Sequence, residues 1–164
     1  MKTIGIISDT HGFLHPGISE KLTYCDEIWH AGDVGSSNIL KQLQSHAPVK
    51  AVYGNIDGTE IRSILPEYQY FTQEGFSVFM IHIGGYPGKY APGVKKLLEE
   101  KKPAIMIAGH SHILKIIYDK NLNLLHINPG ASGRTGLHQV ITMVKVTLDD
   151  GEIKDSEIIE FPRH

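Results

Sequence analysis

Asp9 and His11 stand one residue apart just beyond the apolar run Ile4-Gly5-Ile6-Ile7, and metal-binding residue types close four further runs in the same way. Asp33 closes Glu27-Ile28-Trp29-His30-Ala31-Gly32, and Asn55 follows Val49-Lys50-Ala51-Val52-Tyr53-Gly54. His82 follows Ser77–Ile81, and His110 and His112 follow Ala104–Ala108 and Gly109. A lone aspartate after a strand is usually a turn residue, and a lone histidine is usually a structural hydrogen bonder. Recurrence at five strand ends is what points to a site. Mixed imidazole, carboxylate and amide donors suit Mn²⁺, Ni²⁺, Zn²⁺ or Fe²⁺ better than Ca²⁺, which prefers oxygen alone. Seven donors exceed what one ion with an open position needs. They suit two ions sharing a carboxylate, about 3.5–4 Å apart. Asp9 and His11 are expected to grip one ion from a still-extended chain, where residues i and i+2 point the same way.

Such residues need strands to carry them. The runs at 4–7, 27–33, 49–53, 77–81 and 104–108 are too short for helices and read as strands, the first buried on both faces. Helices are expected from Pro16 to Tyr24, from the caps Ser36 and Ser37 to about Ser45, from Thr59 to Leu65 and from Val94 to Lys102. Tyr68 to Thr72 and Ser77 to Ile81 read as a hairpin around Glu74-Gly75, and Ile83 to Gly88 as a Gly/Pro-rich loop. Leu114 to Tyr118, Leu122 to Ile127, Val140 to Leu148 and Ile153 to Glu160 complete the strands, with turns at Asp119-Lys120-Asn121 and Asp149-Asp150-Gly151. Strands alternate with helices early and dominate late. The pattern implies an α/β (α+β) fold with a largely parallel sheet facing a more antiparallel one, and helices outside. In open α/β sheets ligands bind beyond the C-terminal strand ends, which is where the donors fall.

The totals agree with an ordinary soluble globular protein. The chain has 164 residues, 41% hydrophobic and 21% charged. It is expected to form one domain over residues 1–164. A net charge of −2 gives no footprint for nucleic acid or an anionic membrane. No stretch reaches transmembrane length, and the first apolar run is cut by Ser8 and Asp9 before it could serve as a signal peptide. Cys25 is the sole cysteine, so no internal disulfide forms and a cytoplasmic setting is the default expectation. No thiolate serves the site, which argues against a structural zinc knuckle.

Asp9-Thr10-His11, Gly32-Asp33, Gly54-Asn55, His82 and Gly109-His110-Ser111-His112 resemble, in order, the motifs of the calcineurin-like metallophosphoesterases. The likeness spans about residues 3 to 135 and is nearest to the small single-domain phosphodiesterases of bacteria and archaea. Ile127-Asn128-Pro129-Gly130-Ala131-Ser132 resembles that branch's loop beside the metals. The resemblance implies a four-layer αββα sandwich of two mostly mixed sheets flanked by helices. It implies two divalent transition metals, with Mn²⁺ expected first. Asp9, His11, Asp33 and His112 would hold one, and Asp33, Asn55, His82 and His110 the other, with Asp33 as the bridge. Asp33, Asn55 and His110 are then the expected catalytic residues, and the substrate a small phosphate diester attacked in line by metal-held hydroxide.

The sequence departs from that pattern where it matters for proton transfer. Family members often carry histidine or cysteine directly after Gly-Asn, whereas Ile56 stands here. Asp57 would be the group left to orient a histidine at that place. His82-Ile83-Gly84 also lacks a second histidine often found two residues on. Of the remaining histidines, His30 is expected to support the ligands by hydrogen bonding. His15, His46 and His164 read as solvated, and His126 and His138 flank a loop bearing Ser132 and Arg134. Arg134 could receive a substrate phosphate but reads first as solvent-facing. A phosphomonoesterase or nucleotide hydrolase on the same residues, and a non-catalytic scaffold resembling the retromer subunit of this fold, are the competing readings. A homo-oligomer is left open.

Overall fold

The computed structural model describes residues 1–163, so His164 lies outside the described residues. Sixteen elements follow in order: β1 (Lys2–Ile7), α1 (Pro16–Leu22), β2 (Glu27–His30), α2 (Ser37–Gln44), β3 (Val49–Ala51), α3 (Thr59–Arg62), β4 (Tyr68–Gln73) and β5 (Phe76–Ile81). Then come β6 (Gly85–Tyr86), β7 (Lys89–Tyr90), α4 (Val94–Lys101), β8 (Ile105–Ile107), β9 (Leu114–Asp119), β10 (Leu124–Pro129), β11 (Val140–Asp149) and β12 (Glu152–Pro162).

Two five-stranded sheets carry the fold, in the orders β12-β11-β1-β2-β3 and β4-β5-β8-β10-β9. In the first, β1, β2 and β3 are parallel and β11 and β12 are antiparallel additions. In the second, β5, β8 and β10 are parallel, between antiparallel edge strands β4 and β9. Both sheets are therefore mixed, not one largely parallel and one more antiparallel as expected; helices join β1, β2 and β3 and also β5 and β8, whereas β8 reaches β10 through β9.

Strand alternation sorts the apolar residues into three layers of contact. Ile7, Ile28, Ile141 and Met143 face out of the first sheet and pack with Ile18, Leu22, Ile39, Leu43 and Ile61 of α1, α2 and α3. Ile4, Ile6, Trp29, Val78, Met80, Ile105 and Ile107 fill the space between the sheets. Phe79, Ile81 and Met106 face out of the second sheet onto Val94 and Leu98 of α4. Three apolar interfaces separate four layers, which is the αββα sandwich. Among the described residues no helix is long and apolar enough to cross a membrane.

Two local readings change. The Gly/Pro segment expected to be plain loop contains the two-stranded ribbon of β6 and β7, turned at Pro87-Gly88. His15 is not solvated. It caps α1, with Nδ1 accepting from the Gly17 N–H at 2.9 Å, and stacks on Phe161 at 4.7 Å between ring centroids. His46 is half-buried and shares a 2.8 Å hydrogen bond with the Ser19 hydroxyl.

Trp29 is the largest side chain fully buried between the sheets. Its ring meets Phe71 edge-on at 5.2 Å, and its Nε1–H donates to Glu27 Oε1 at 3.1 Å. Trp29→Ala is expected to cost about 3–5 kcal/mol of stability. Denaturant unfolding checks this; a loss below about 1 kcal/mol would mean that the inter-sheet layer collapses around the cavity.

Candidate metal centre

The first sheet's parallel strands stop at Ile7, His30 and Ala51, and the second sheet's β5 and β8 stop at Ile81 and Ile107. All seven candidate ligands lie past those ends. The chain there is not extended, contrary to the expectation for Asp9 and His11. Asp9, His11, Asp33, His110 and His112 have φ of 55°, 47°, 57°, 75° and 63°. They account for five of the nine non-glycine residues with positive φ among the described residues. Side chains converge because the backbone reverses locally, a conformation that Asp and His tolerate better than most residues.

Hydrogen bonds hold these reversals in place. The Asp9 and His11 N–H groups donate to the carbonyls of Gly32 and Asp33 at 2.9 and 3.0 Å, and the Gly12 N–H to Val34 at 2.9 Å. Gly109 N–H donates to the His82 carbonyl at 3.0 Å, and Ser132 N–H to the Ser8 carbonyl at 2.8 Å. Close approach explains two glycines. A Cβ on Gly54 would fall on Asp33 Oδ1, and one on Gly109 would fall on the Ser8 hydroxyl.

The donors form two groups. Ligand atoms of Asp9, His11 and His112 lie within 4.8 Å of one another, as do those of Asp33, His82 and His110. Asp33 Oδ2 sits between the groups, 3.4 Å from His11 Nε2 and 3.2 Å from His82 Nε2. Asp9 Oδ1 is 3.2 Å from His112 Nε2. Asn55 is exposed and lines a cleft together with His82. Thus all seven residues are gathered around one mouth.

Each carboxylate is anchored by one oxygen and presents the other. Asp9 Oδ2 accepts from the Ser8 hydroxyl at 2.7 Å and the His110 N–H at 3.1 Å. Asp33 Oδ1 accepts from the Ile56 N–H at 3.1 Å. His82 Nδ1–H donates to the Ala31 carbonyl at 2.7 Å, which turns Nε2 toward the carboxylates. Asp9 Oδ1, His11 Nε2 and His82 Nε2 are buried with no hydrogen-bond partner. Buried polar atoms are costly when unsatisfied. Divalent cations would satisfy them, one taking Asp9 Oδ1 and His11 Nε2 in the first donor group and one taking His82 Nε2 in the second.

Charge is tightly coupled here. Burial pushes the Asp9 carboxyl up, but His11, His112, His82 and Ser8 outweigh it and hold it well below the usual carboxylate range. The Asp9 carboxylate, 3.7 Å from Nε2, raises His11. Burial lowers His82, yet the Asp33 and Asp9 carboxylates more than offset that and its net shift is upward. Cation binding to those imidazoles must displace protons, so metal uptake weakens as pH falls.

One expectation around the site needs revision. Asp57 is not available to orient a group at position 56. It is buried, Oδ1 accepting from the Gly35 N–H at 2.9 Å and Oδ2 from Val34 and Gly54 at 3.1 and 2.8 Å. It ties the Asp33 loop to the Asn55 loop. Ile56 is 46% exposed, with its backbone N–H on Asp33. Arg134 is exposed, as expected, and stacks on Phe13, 4.3 Å from the ring centroid.

Several supporting residues carried no signal in the sequence. Ser111, between His110 and His112, is held by the Tyr86 hydroxyl from the β6–β7 ribbon and by Asn128 Nδ2 at 3.2 Å. His138 lies edge-on to His112 at 5.4 Å, with Nε2–H on the Gly133 carbonyl at 2.7 Å. Their partners are remote in sequence or on backbone atoms, so no spacing announces them. His30 was legible as a support. Its Nδ1 accepts from the Gly32 N–H at 3.1 Å, its Nε2–H meets the Thr10 hydroxyl at 2.9 Å, and that hydroxyl donates to the Val34 carbonyl at 3.0 Å.

His30 generates a pH prediction. Burial lowers its pKa from 6.5 to about 4. The unfolded chain takes up a proton on this residue below about pH 6.5 while the folded chain does not. The contribution to stability is therefore whole above that pH and is lost as pH falls toward 4. Wild type is expected to lose about 3 kcal/mol more than His30→Gln between pH 7 and 4 in denaturant titrations. Parallel losses would show that His30 is protonated in the folded protein.

Relatives bear on this geometry. The model of the calcineurin-like phosphoesterase superfamily domain matches residues 1–151. A probable metallophosphoesterase of Methanothermobacter thermautotrophicus is 34% identical, across 95% of this chain and 91% of its own. A structure of Vps29 complexed with zinc, from Entamoeba histolytica, superposes with a TM-score of 0.76 over 99% of both chains at 15% identity. A structurally and functionally characterised archaeal phosphodiesterase gives a TM-score of 0.76 at 21% identity, covering 97% of this chain and 99% of that one. At those identities the two structures speak for the fold. The family model and the archaeal sequence relative settle membership: the chain belongs to the calcineurin-like phosphoesterase superfamily, the metallophosphoesterases.

Proposed function

We propose that this chain is a metal-dependent phosphodiesterase acting on small phosphate diesters, with Asp9, His11, Asp33 and His112 holding one divalent ion and Asp33, Asn55, His82 and His110 the other. The observation that carries it is that Asp9 Oδ1 and His11 Nε2 in one donor group and His82 Nε2 in the other are buried without a hydrogen-bond partner, on either side of Asp33 Oδ2. Manganese is our first candidate for the ion, on donor chemistry. When bound, such ions supply charge to neutralise phosphoryl oxygens and make a water nucleophilic at neutral pH.

The chain's own residues then do three things. Asp33 spans both donor groups, with Oδ1 fixed by the Ile56 N–H so that Oδ2 cannot swing away. The Ser8 hydroxyl and the His110 N–H fix Asp9, and the Ala31 carbonyl fixes His82, so little reorganisation is needed at the moment of reaction. Ile56, at the mouth, delivers no proton to a departing alkoxide.

A general acid is typically worth about 10²–10⁴ in rate, so departure here depends on the leaving group itself. Aryl diesters such as bis-p-nitrophenyl phosphate are expected to be cleaved well, alkyl diesters poorly and monoesters weakly. Rates across diesters of graded leaving-group pKa should fall steeply, and Asp33→Ala should abolish turnover. Since Asp57 is committed to backbone N–H groups, Ile56→His is expected to leave the slope unchanged. A shallow slope in the wild type would show that another group already supplies the proton. Exposed Ile56, Ile83 and Ile113 around the site favour a second reading, a surface for a partner protein. Absence of turnover on every diester by metal-loaded protein would decide for it.

A further inference from the structure

The cleft that Asn55 and His82 share is lined also by Tyr53, Arg62, Glu67 and Ile83, and has a volume of ≈ 230 Å³. Arg62, the last residue of α3, is held there on three sides. Its Nε–H donates to the Asp57 carbonyl at 2.6 Å, and its Nη2 donates to the carbonyls of Gly54 and Asn55 at 3.5 and 3.4 Å. The guanidinium lies over the Tyr53 ring, 4.5 Å from its centroid. Carbonyls orient the group but do not neutralise it. Among the described residues no carboxylate forms an ion pair with Arg62, and Nη1 meets no acceptor. Glu67 lines the same cleft without pairing with it.

An uncompensated, pre-oriented guanidinium one short step from Asn55 and His82 is suited to receive an anion by charge-assisted hydrogen bonds. The scissile phosphate belongs at the metal ligands, so that anion must be a different group of the same molecule. A diester has two substituents. Besides this cleft, the site opens on a second one lined by His110, Ile113, Leu137 and His138, which offers the other substituent an apolar wall.

Resting on the phosphodiesterase reading, we propose that Arg62 is a specificity-determining residue that receives a second anionic group, a carboxylate or a phosphate, carried by the substituent lying beside Asn55 and His82. The preferred substrate is then an anionic-substituted diester whose other substituent is apolar. Arg134, stacked on Phe13, lines neither cleft.

The alternative is that Arg62 only braces the turn of residues 54–57. Binding of two phosphonates to manganese-loaded protein, measured calorimetrically, separates the two. One is 3-phosphonopropionate, with a second anion; the other is 3-methylbutylphosphonate, which keeps the phosphonate and lacks the carboxylate. Wild type is expected to bind 3-phosphonopropionate at least ~10-fold more tightly. Arg62→Gln, with unchanged metal content and unfolding midpoint, should erase that preference and leave the affinity for 3-methylbutylphosphonate as it was. Glu67→Gln should widen the preference by removing the neighbouring negative charge. Equal affinities in the wild type, or equal weakening of both ligands by Arg62→Gln, would overturn the proposal. Failure of both phosphonates to bind would overturn it together with the phosphoester reading. An Arg62-dependent preference without turnover of any diester would sustain Arg62 as the anion-receiving residue and overturn its role in substrate choice together with catalysis.

Discussion

A parallel strand delivers its chain to the edge of the sheet pointing away from its neighbours, and donors from five such strands meet only if the chain turns back at once. Here that reversal is made at the donor residues themselves. Asp9, His11, Asp33, His110 and His112 all take left-handed backbone conformations. Each costs of order 1 kcal/mol relative to an ordinary turn, less for Asp than for His. The cost persists because backbone hydrogen bonds continue past the strand ends, from Asp9 to Gly32, His11 to Asp33, Gly12 to Val34 and Gly109 to His82. Rigidity at the site is thus inherited from the sheets.

The layers supply the rest of that rigidity. Apolar contact between the sheets fixes how far the ends of β1 and β2 stand from those of β5 and β8, and so holds together each donor group, which draws on both sheets. Asp57 links the Asp33 loop to the Asn55 loop through three backbone N–H groups, and neutral His30 links the Thr10 and Gly32 segments. Neither group touches the reacting atoms. Both are buried where loss of a partner leaves an unsatisfied polar group, so they lock the loops more firmly than surface contacts could. Within this frame the carboxylates raise the proton affinity of His11 and His82, so a cation taken up there would compete with protons.

Much of this was legible in the sequence, for identifiable reasons. Short β-branched runs ending in Asp, Asn or His announce both a strand and its function, because burial dictates the run and ligation dictates the stop. Two facing sheets with helices outside followed from strands that alternate with helices and then crowd together; the four-layer sandwich of mixed sheets was what the family resemblance implied, and β1 to β5 fall where expected. The β6–β7 ribbon was hidden because its four residues carry no alternation that a Gly/Pro-rich segment would reveal. The ligand conformations were hidden because positive φ in Asp and His leaves no compositional trace, unlike glycine. Asp57 was misread for a related reason. Its partners are backbone N–H groups, which every residue offers, so its role depends wholly on where the loops of residues 33–35 and 54–57 meet. Arg62 likewise acquires its setting only when α3 closes over Tyr53.

The central claim is that two separately assembled donor groups, joined through Asp33, hold two ions at once. Anomalous diffraction from crystals grown with Mn²⁺ tests it directly. Two peaks about 3.5–4 Å apart are expected, one beside Asp9, His11 and His112, the other beside Asn55, His82 and His110, with Asp33 in contact with both. A single peak at saturating metal, or peaks that leave Asp33 out of contact with one ion, would contradict it.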